Sequence, residues 1–238
     1  MKKVEELKVK LFADGADKAS MLEMHANPII QGLTTNPTLM RKAGITDYRA
    51  FCKDILTHVH DKSISFEVFS DDFDEMERQA TEIASWGQNV YVKIPISNTR
   101  GETAVGLIKQ LAHRGIKVNV TALMTLSQVR AVVQVLSPTV PSYVSVFAGR
   151  IADTGRAALP IMTAAVELLK IAPASELIWA SPRELYNIIE ADISGCHIIT
   201  ATADVLKKLS LVGYDLDAYS LDTVKMFHTD AVAAGFKL

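Results

Sequence analysis

The 238-residue sequence holds only two cysteines, and Cys52 and Cys196 stand far apart with no partner at metal-binding or redox spacing. A disulfide framework is thereby excluded, and two buried thiols in a reducing, cytoplasmic setting are expected. Neither sign of charge dominates: 25 Lys and Arg face 27 Asp and Glu, a formal net charge of −2. That balance offers no argument for a nucleic-acid partner or a membrane surface. No run of about 18 uncharged apolar residues occurs, so no membrane span is expected. The start Met1-Lys2-Lys3-Val4-Glu5-Glu6 has no apolar stretch behind its positive charge, which argues against a secretion signal. Pro/Gly/Ser-rich linkers and low-complexity tracts are also missing, so nothing divides the chain. There is no G-x-G-x-x-G or Walker-type loop, and His25, His113, His197 and His228 form no ligand cluster. His58-Val59-His60 ends a helix-like stretch that begins near Asp47, a poor setting for metal-binding spacing. The expectation is therefore no cofactor and no metal.

What is present is the raw material of a large core, with 49% hydrophobic and 22% charged residues. Short β-rich runs alternate with longer stretches of helical periodicity. The runs fall at 8–14, 30–36, 63–70, 89–95, 117–122, 142–147, 176–181 and 197–200. Eight strands alternating with helices predict an α/β protein, a (β/α)8 (TIM) barrel in one domain over residues 1–238. Helix starts are expected at Asp72-x-x-Glu75, Thr99-x-x-Glu102 and Thr125-x-x-Gln128, where an acceptor precedes a reciprocal partner by three residues. A last helix-like segment, Leu221–Ala233 within a C-terminal extension spanning 217–238, comes after the eighth strand. It can fold over its own barrel or pack on a neighbouring subunit.

Buried parallel strands usually read as unbroken apolar runs, yet several here alternate. Ile64, Phe66 and Val68 leave Ser65 and Glu67 on the other face. In the same way Val90, Val92 and Ile94 leave Tyr91 and Lys93; Val118 and Val120 leave Asn119 and Thr121; Val144 and Val146 leave Ser145 and Phe147. With the apolar rows against the helices, the polar rows point into the barrel, late in their strands. Asp14 closes the first strand and Asn36 the second. That end of an α/β barrel is where active sites are built. Lys93, inside Val-Tyr-Val-Lys-Ile-Pro, needs either a carboxylate partner or the loss of its proton. The first alternative is a structural Lys93–Glu67 pair; the second is an amine nucleophile able to form a Schiff base with a carbonyl. Tyr91 shares its face and reads as barrel filler. Arg150 and Arg183 follow strands directly and suit bidentate phosphate contacts.

Seven segments resemble the transaldolase family, including its compact members and the related fructose-6-phosphate aldolases. They are Leu11-Phe12-Ala13-Asp14, Gly32-Leu33-Thr34-Thr35-Asn36-Pro37-Thr38, Ser65-Phe66-Glu67-Val68, Val92-Lys93-Ile94-Pro95, Asn119-Val120-Thr121-Ala122, Ser145-Val146-Phe147-Ala148-Gly149-Arg150 and Ala180-Ser181-Pro182-Arg183. The resemblance implies that Lys93 forms the Schiff base, that Glu67 and Thr121 manage a proton-shuttling water, and that Asp14 takes a hydroxyl proton as the carbon–carbon bond breaks. It further implies that Asn36, Asn119 and Ser145 hold substrate hydroxyls while Arg150, Ser181 and Arg183 grip a phosphate. A Glu on the third strand and a Phe after the sixth mark the transferases, against Gln and Tyr in the aldolases. Glu67 and Phe147 therefore favour transfer over release. The chain departs from the family in lacking the proline common within 198–203 and in carrying Pro182 where Phe is frequent.

The partners implied are sugar phosphates, and the relatives imply a homo-oligomer. Three rival readings stay open: aldol release, a transaldolase of a modified sugar, and a silent phosphosugar-binding barrel. A metal-dependent aldolase would need histidines and carboxylates converging at one end of the barrel.

Overall fold

A computed structural model describes residues 3–238; Met1 and Lys2, which belong to the amino-terminal stretch considered above, lie outside the described residues. Strands and helices alternate: β1 (Lys10–Asp14), α1 (Lys18–Ala26), β2 (Ile30–Thr34), α2 (Pro37–Lys42), α3 (Tyr48–Leu56), β3 (Ser63–Glu67), α4 (Phe73–Ala84), β4 (Val90–Pro95) and α5 (Val105–His113). The second half continues with β5 (Val118–Leu123), α6 (Leu126–Val133), β6 (Ser142–Val146), α7 (Ala148–Asp153), α8 (Ala158–Leu169), β7 (Ser175–Trp179), α9 (Tyr186–Ile193), β8 (Ile198–Thr202), α10 (Ala203–Leu206) and α11 (Leu216–Ala233). The strands are parallel and close in sequence order, β8 pairing back to β1, so the chain folds as a (β/α)8 barrel.

Two cores follow from the alternation of the strands. Outward residues such as Ile64, Phe66, Val92, Val118 and Val144 are completely or almost completely buried against the helices. Inside the barrel a smaller cluster of Phe12, Tyr91, Tyr143, Ile178, Ala180 and Ile198 fills the space below the polar rows. Tyr91 stacks on Tyr143 with ring centroids 4.0 Å apart, and Phe12 meets Tyr143 edge-on at 5.8 Å. Gly32 makes room for this plug: a Cβ there would lie 2.5 Å from the Phe12 ring. The two cysteines are buried free thiols.

Two of the three expected caps form. Asp72 accepts from the Glu75 amide at 3.0 Å to start α4, and Thr125 and Gln128 make the reciprocal box that starts α6. The Thr99/Glu102 pair does not start a helix, which is a correction to the sequence reading: α5 begins at Val105 behind Ala104. Thr99 instead bonds across to Asp71 through both its amide and its hydroxyl, at 2.7 Å each. The Asn98 side-chain Oδ1 accepts from the amides of Arg100 and Glu102 in a local turn. Asx chemistry thus outcompetes the cap.

Among the described residues no helix is long and apolar enough to cross a membrane. The final helix, α11, starts earlier than the sequence pattern suggests and buries none of its residues on its own barrel.

Candidate active site

The end of the barrel at which the strands finish holds a cavity of about 460 Å³. That size suits a small ligand. Glu67 and Ser145 enter it from the last and next-to-last positions of β3 and β6, Lys93 and Thr121 from the fourth of six positions in β4 and β5, and Asn119 from one layer deeper. β3 and β4 place Glu67 opposite Lys93, and β4 and β5 place Lys93 opposite Asn119. Lys93 is only 6% exposed, and its Nζ donates to the Thr35 carbonyl at 2.9 Å and stands 3.2 Å from Glu67 Oε2. The ion pair considered for this lysine is therefore formed. Its ammonium also faces the cavity, within proton-transfer distance of Glu67.

The neighbours of Lys93 are held by short polar chains. Asn119 donates through Nδ2 to Ser65 Oγ at 3.0 Å and accepts from Ser145 Oγ at 2.7 Å, so its amide is fixed between two strands. Thr121 Oγ1 is buried with no hydrogen-bond partner among the described residues. A buried hydroxyl of that kind is available to a bound molecule. On the other side Thr34 Oγ1 donates to Asp14 Oδ1 at 2.8 Å and lies 2.6 Å from Thr200 Oγ1. Since the Thr34 proton goes to Asp14, Thr200 is the donor to Thr34. Burial pushes the Asp14 carboxyl above its ordinary value, against the opposing pull of the nearby Lys93 charge and the Thr34 hydroxyl. Desolvation wins because, among the described residues, the Thr34 hydroxyl alone donates to Asp14 in place of water.

At the mouth the character changes from dry to wet, and both arginines are exposed. Arg150 lies with its guanidinium carbon 5.6 Å from the centroid of Phe147. Arg183 is braced by Asp153, to which it donates through Nε at 2.9 Å and through a second, shorter bond from its terminal nitrogen. It also donates to Ser181 Oγ at 3.0 Å. The guanidinium beside it holds the Asp153 carboxyl below the usual carboxylate range. Ser181 itself sits at φ 62°, and Ala122, which also lines the cavity, at φ 65°. Left-handed backbone at non-glycine residues costs about 1–3 kcal/mol and persists only where surrounding structure enforces it.

For Ser181 that enforcement comes from Gly149, whose amide bonds the Ala180 carbonyl at 3.3 Å. A Cβ on Gly149 would fall 1.6 Å from the Ser181 carbonyl oxygen. Gly149→Ala is therefore expected to push the Ser181–Arg183 loop outward and to destabilise the fold by about 2–3 kcal/mol. Thermal melting checks this; an unchanged melting temperature would refute it.

All of the residues singled out from the sequence line this one cavity: Asp14, Asn36, Glu67, Lys93, Asn119, Thr121, Ser145, Phe147, Arg150, Ser181 and Arg183. Asn36 does so from just beyond β2, where its Oδ1 caps α2 by accepting from the Leu39 amide at 3.0 Å. Thr34, Thr38, Lys42 and Thr200 line it too and were not expected. The signal for Thr34 and Thr200 was present, since Gly32/Thr34 and Ile198/Thr200 share a face, but β2 and β8 lack a contrasting apolar row to reveal it.

A family model described as Transaldolase/Fructose-6-phosphate aldolase matches residues 11–237. A protein of Thermoanaerobacter sp. (strain X514) named "Probable transaldolase" is 35% identical over 204 residues, covering 84% of this chain and 89% of that protein. Another of the same name, from Methanococcus maripaludis (strain C7 / ATCC BAA-1331), is 34% identical over 205 residues, with the same coverage of 84% and 89%. Among solved structures, the native KDPGal structure superposes with a TM-score of 0.57 at 10% identity, covering 83% of this chain and 84% of that one. That likeness speaks for the barrel alone. The family model and the relatives span most of the chain, and the chain belongs to the transaldolase/fructose-6-phosphate aldolase family.

Proposed function

We propose that this protein is a transaldolase that carries a dihydroxyacetone unit from a ketose phosphate, such as fructose 6-phosphate or sedoheptulose 7-phosphate, to an aldose phosphate through a Schiff base on Lys93. The observation that carries the reading is the setting of Lys93: one buried amine, facing a cavity, with a carboxylate 3.2 Å away to receive its proton. The deprotonated amine adds to the ketone carbon, and loss of water from the carbinolamine gives the imine. Glu67 and Thr121 handle that water, a role supported by the unpartnered Thr121 hydroxyl. Asp14 then accepts the proton of the hydroxyl on the fourth carbon as the bond between the third and fourth carbons breaks. A sugar aldehyde leaves, and the three-carbon fragment stays on Lys93 as an enamine.

Asn36, Asn119 and Ser145 hold the hydroxyls of the fragment, and Arg150, Ser181 and Arg183 hold the phosphate at the open end. This polarity matches the burial, with a dry reacting end and a wet anionic end. Phe147 favours transfer over release, because its ring offers no hydroxyl to hold a water against the enamine. The test is incubation with fructose 6-phosphate, borohydride reduction and peptide mass spectrometry, alongside an assay for sedoheptulose 7-phosphate when erythrose 4-phosphate is added. A three-carbon adduct on Lys93 together with transfer supports the reading. Glyceraldehyde 3-phosphate release without transfer replaces it with the aldolase; binding without adduct leaves a phosphosugar-binding barrel.

The C-terminal extension we read as an assembly element for a homo-oligomer of otherwise single barrels. α11 leaves Leu216, Val224, Phe227 and Val232 each more than half exposed, with Phe236 beyond it. Apolar surface on that scale needs a cover. A chain ending at Gly213 should run as a monomer in light scattering while the full chain runs as an oligomer; a monomeric full chain would overturn this.

A further inference from the structure

The reading above gives Glu67 a proton-handling role, and the inference here rests on it. β3 runs further than its neighbour β2, because the β2–β3 register ends at Thr34 opposite Ser65 and the last ladder bond runs from the Thr35 amide to the Ser65 carbonyl at 3.2 Å. In a parallel strand the amide and carbonyl of one residue face one neighbour and those of the next residue face the other. The Val68 amide bonds the Lys93 carbonyl on β4 at 3.1 Å, so Val68 and Phe66 serve the β4 side. Glu67, like Ser65, presents its backbone to the β2 side, where the strand has already ended. Both its amide and its carbonyl would be left without partners, at the residue that holds Lys93.

A single side chain fills both places. The Tyr48 hydroxyl accepts from the Glu67 amide at 2.9 Å and donates to the Glu67 carbonyl at 2.7 Å. We infer that Tyr48 is a positioning residue for Glu67, standing in for the missing rung of β2 and so fixing the carboxylate against Lys93. Tyr48 is the first residue of α3, and Asp47 sets that start by accepting from the Ala50 amide at 2.9 Å. The ring is packed by Phe69 at 5.2 Å and Trp86 at 6.4 Å between centroids. Burial raises the phenol above its ordinary value, so it keeps its donor proton throughout the working range. The geometry gains directional force because one hydroxyl has one proton to give and lone pairs to receive. Rotating the phenol away breaks both bonds together.

The test is a double-mutant cycle on the full chain, with Tyr48→Phe, Glu67→Gln and the pair, read in the transfer assay as kcat, KM and pH profile. Tyr48→Phe should lower kcat roughly 10- to 100-fold through misplacement of Glu67 while leaving KM within about two-fold. In the Glu67→Gln background it should do almost nothing further, since a residue acting only through that carboxylate has nothing left to position. A merely structural tyrosine would instead lower melting temperature and multiply with Glu67→Gln. Multiplying effects, or normal kcat in Tyr48→Phe beside a depressed Glu67→Gln, would overturn this inference alone. A Glu67→Gln enzyme with normal kcat and pH profile would overturn the role of Glu67 in the reading above, and this inference with it. Should Tyr48→Phe fail to fold, amide exchange in the unaltered protein decides: the Glu67 amide should be as protected as that of Phe66, and exchange at loop rates would overturn the claim.

Discussion

Lys93→Ala is expected to reduce transfer by at least about 10⁴-fold and to remove the borohydride-trapped adduct, because the other lysine lining the cavity, Lys42, is exposed on α2 and does not replace the buried amine. At 1.36 kcal/mol per factor of ten, that is about 5 kcal/mol or more of transition-state stabilisation resting on one nitrogen. Lys93→Arg separates nucleophile from charge. It preserves a cation beside Glu67 and Asp14, yet a guanidinium does not add to a ketone, so activity should be lost equally. The two variants should differ in stability. In Lys93→Ala the Thr35 carbonyl loses its donor and the Glu67 carboxylate its partner. A loss of about 1–3 kcal/mol is expected, moderated by the solvent that reaches Glu67. Asp14 loses the positive neighbour that opposes its desolvation, so its carboxyl should move further up. Rate assays, mass mapping and melting curves check these points. Turnover within ten-fold of normal in either variant, or an adduct on another lysine, would remove Lys93 from the chemistry.

How far the sequence discloses such a site depends on whether each strand contrasts its two faces. β3, β4, β5 and β6 carry β-branched and aromatic residues outward and polar residues inward, so a two-residue period exposes Glu67, Lys93, Asn119 and Ser145 together. The parallel register then sets Glu67 beside Lys93 and Lys93 beside Asn119. β2 sets the exposed Gln31 on the row of Leu33, and β8 opens on two adjacent isoleucines, so there the period disappears. Thr34 and Thr200 were therefore missed, although they form the hydrogen-bonded chain that ends on Asp14. Tyr48 was invisible for a different reason: its role follows from β2 ending before β3, a property of register that no local pattern in either strand encodes. The Thr99/Glu102 misreading is the converse. The local pattern was sound, but Asp71 on another loop bonds Thr99 instead. α11 fits neither class, since its apolar residues lie on a helix that touches nothing closely enough to be buried.

Asp14→Asn should separate the two halves of the reaction. The amide is nearly isosteric, but it cannot accept the proton released as the carbon–carbon bond breaks, so turnover is expected to fall about 10³-fold. Imine formation does not use Asp14 in this scheme. Borohydride should therefore still trap a sugar on Lys93, now as the intact six-carbon ketose phosphate rather than the three-carbon fragment. The sign of the pH effect follows from the raised pKa of Asp14. A base must be ionised to act, so the acid limb of the normal profile should lie above the ordinary aspartate value of 3.8 and should vanish in the variant. Stability runs the other way. In the folded protein the protonated form is favoured, so the folded state binds more protons than the unfolded one between 3.8 and the raised value. The contribution of this group is fully present below 3.8 and is lost as pH rises through its folded pKa. Asp14→Asn, neutral at every pH, should melt at the same temperature as the normal protein near pH 3.5 and above it at pH 7 to 8. A three-carbon adduct in the variant would show that another group takes the proton. A variant less stable than normal at neutral pH would show that the ionised carboxylate is welcome in its pocket. A higher melting temperature joined to a stalled six-carbon imine would mean that this carboxylate is kept against the interest of the fold, because bond cleavage requires a base where burial disfavours charge.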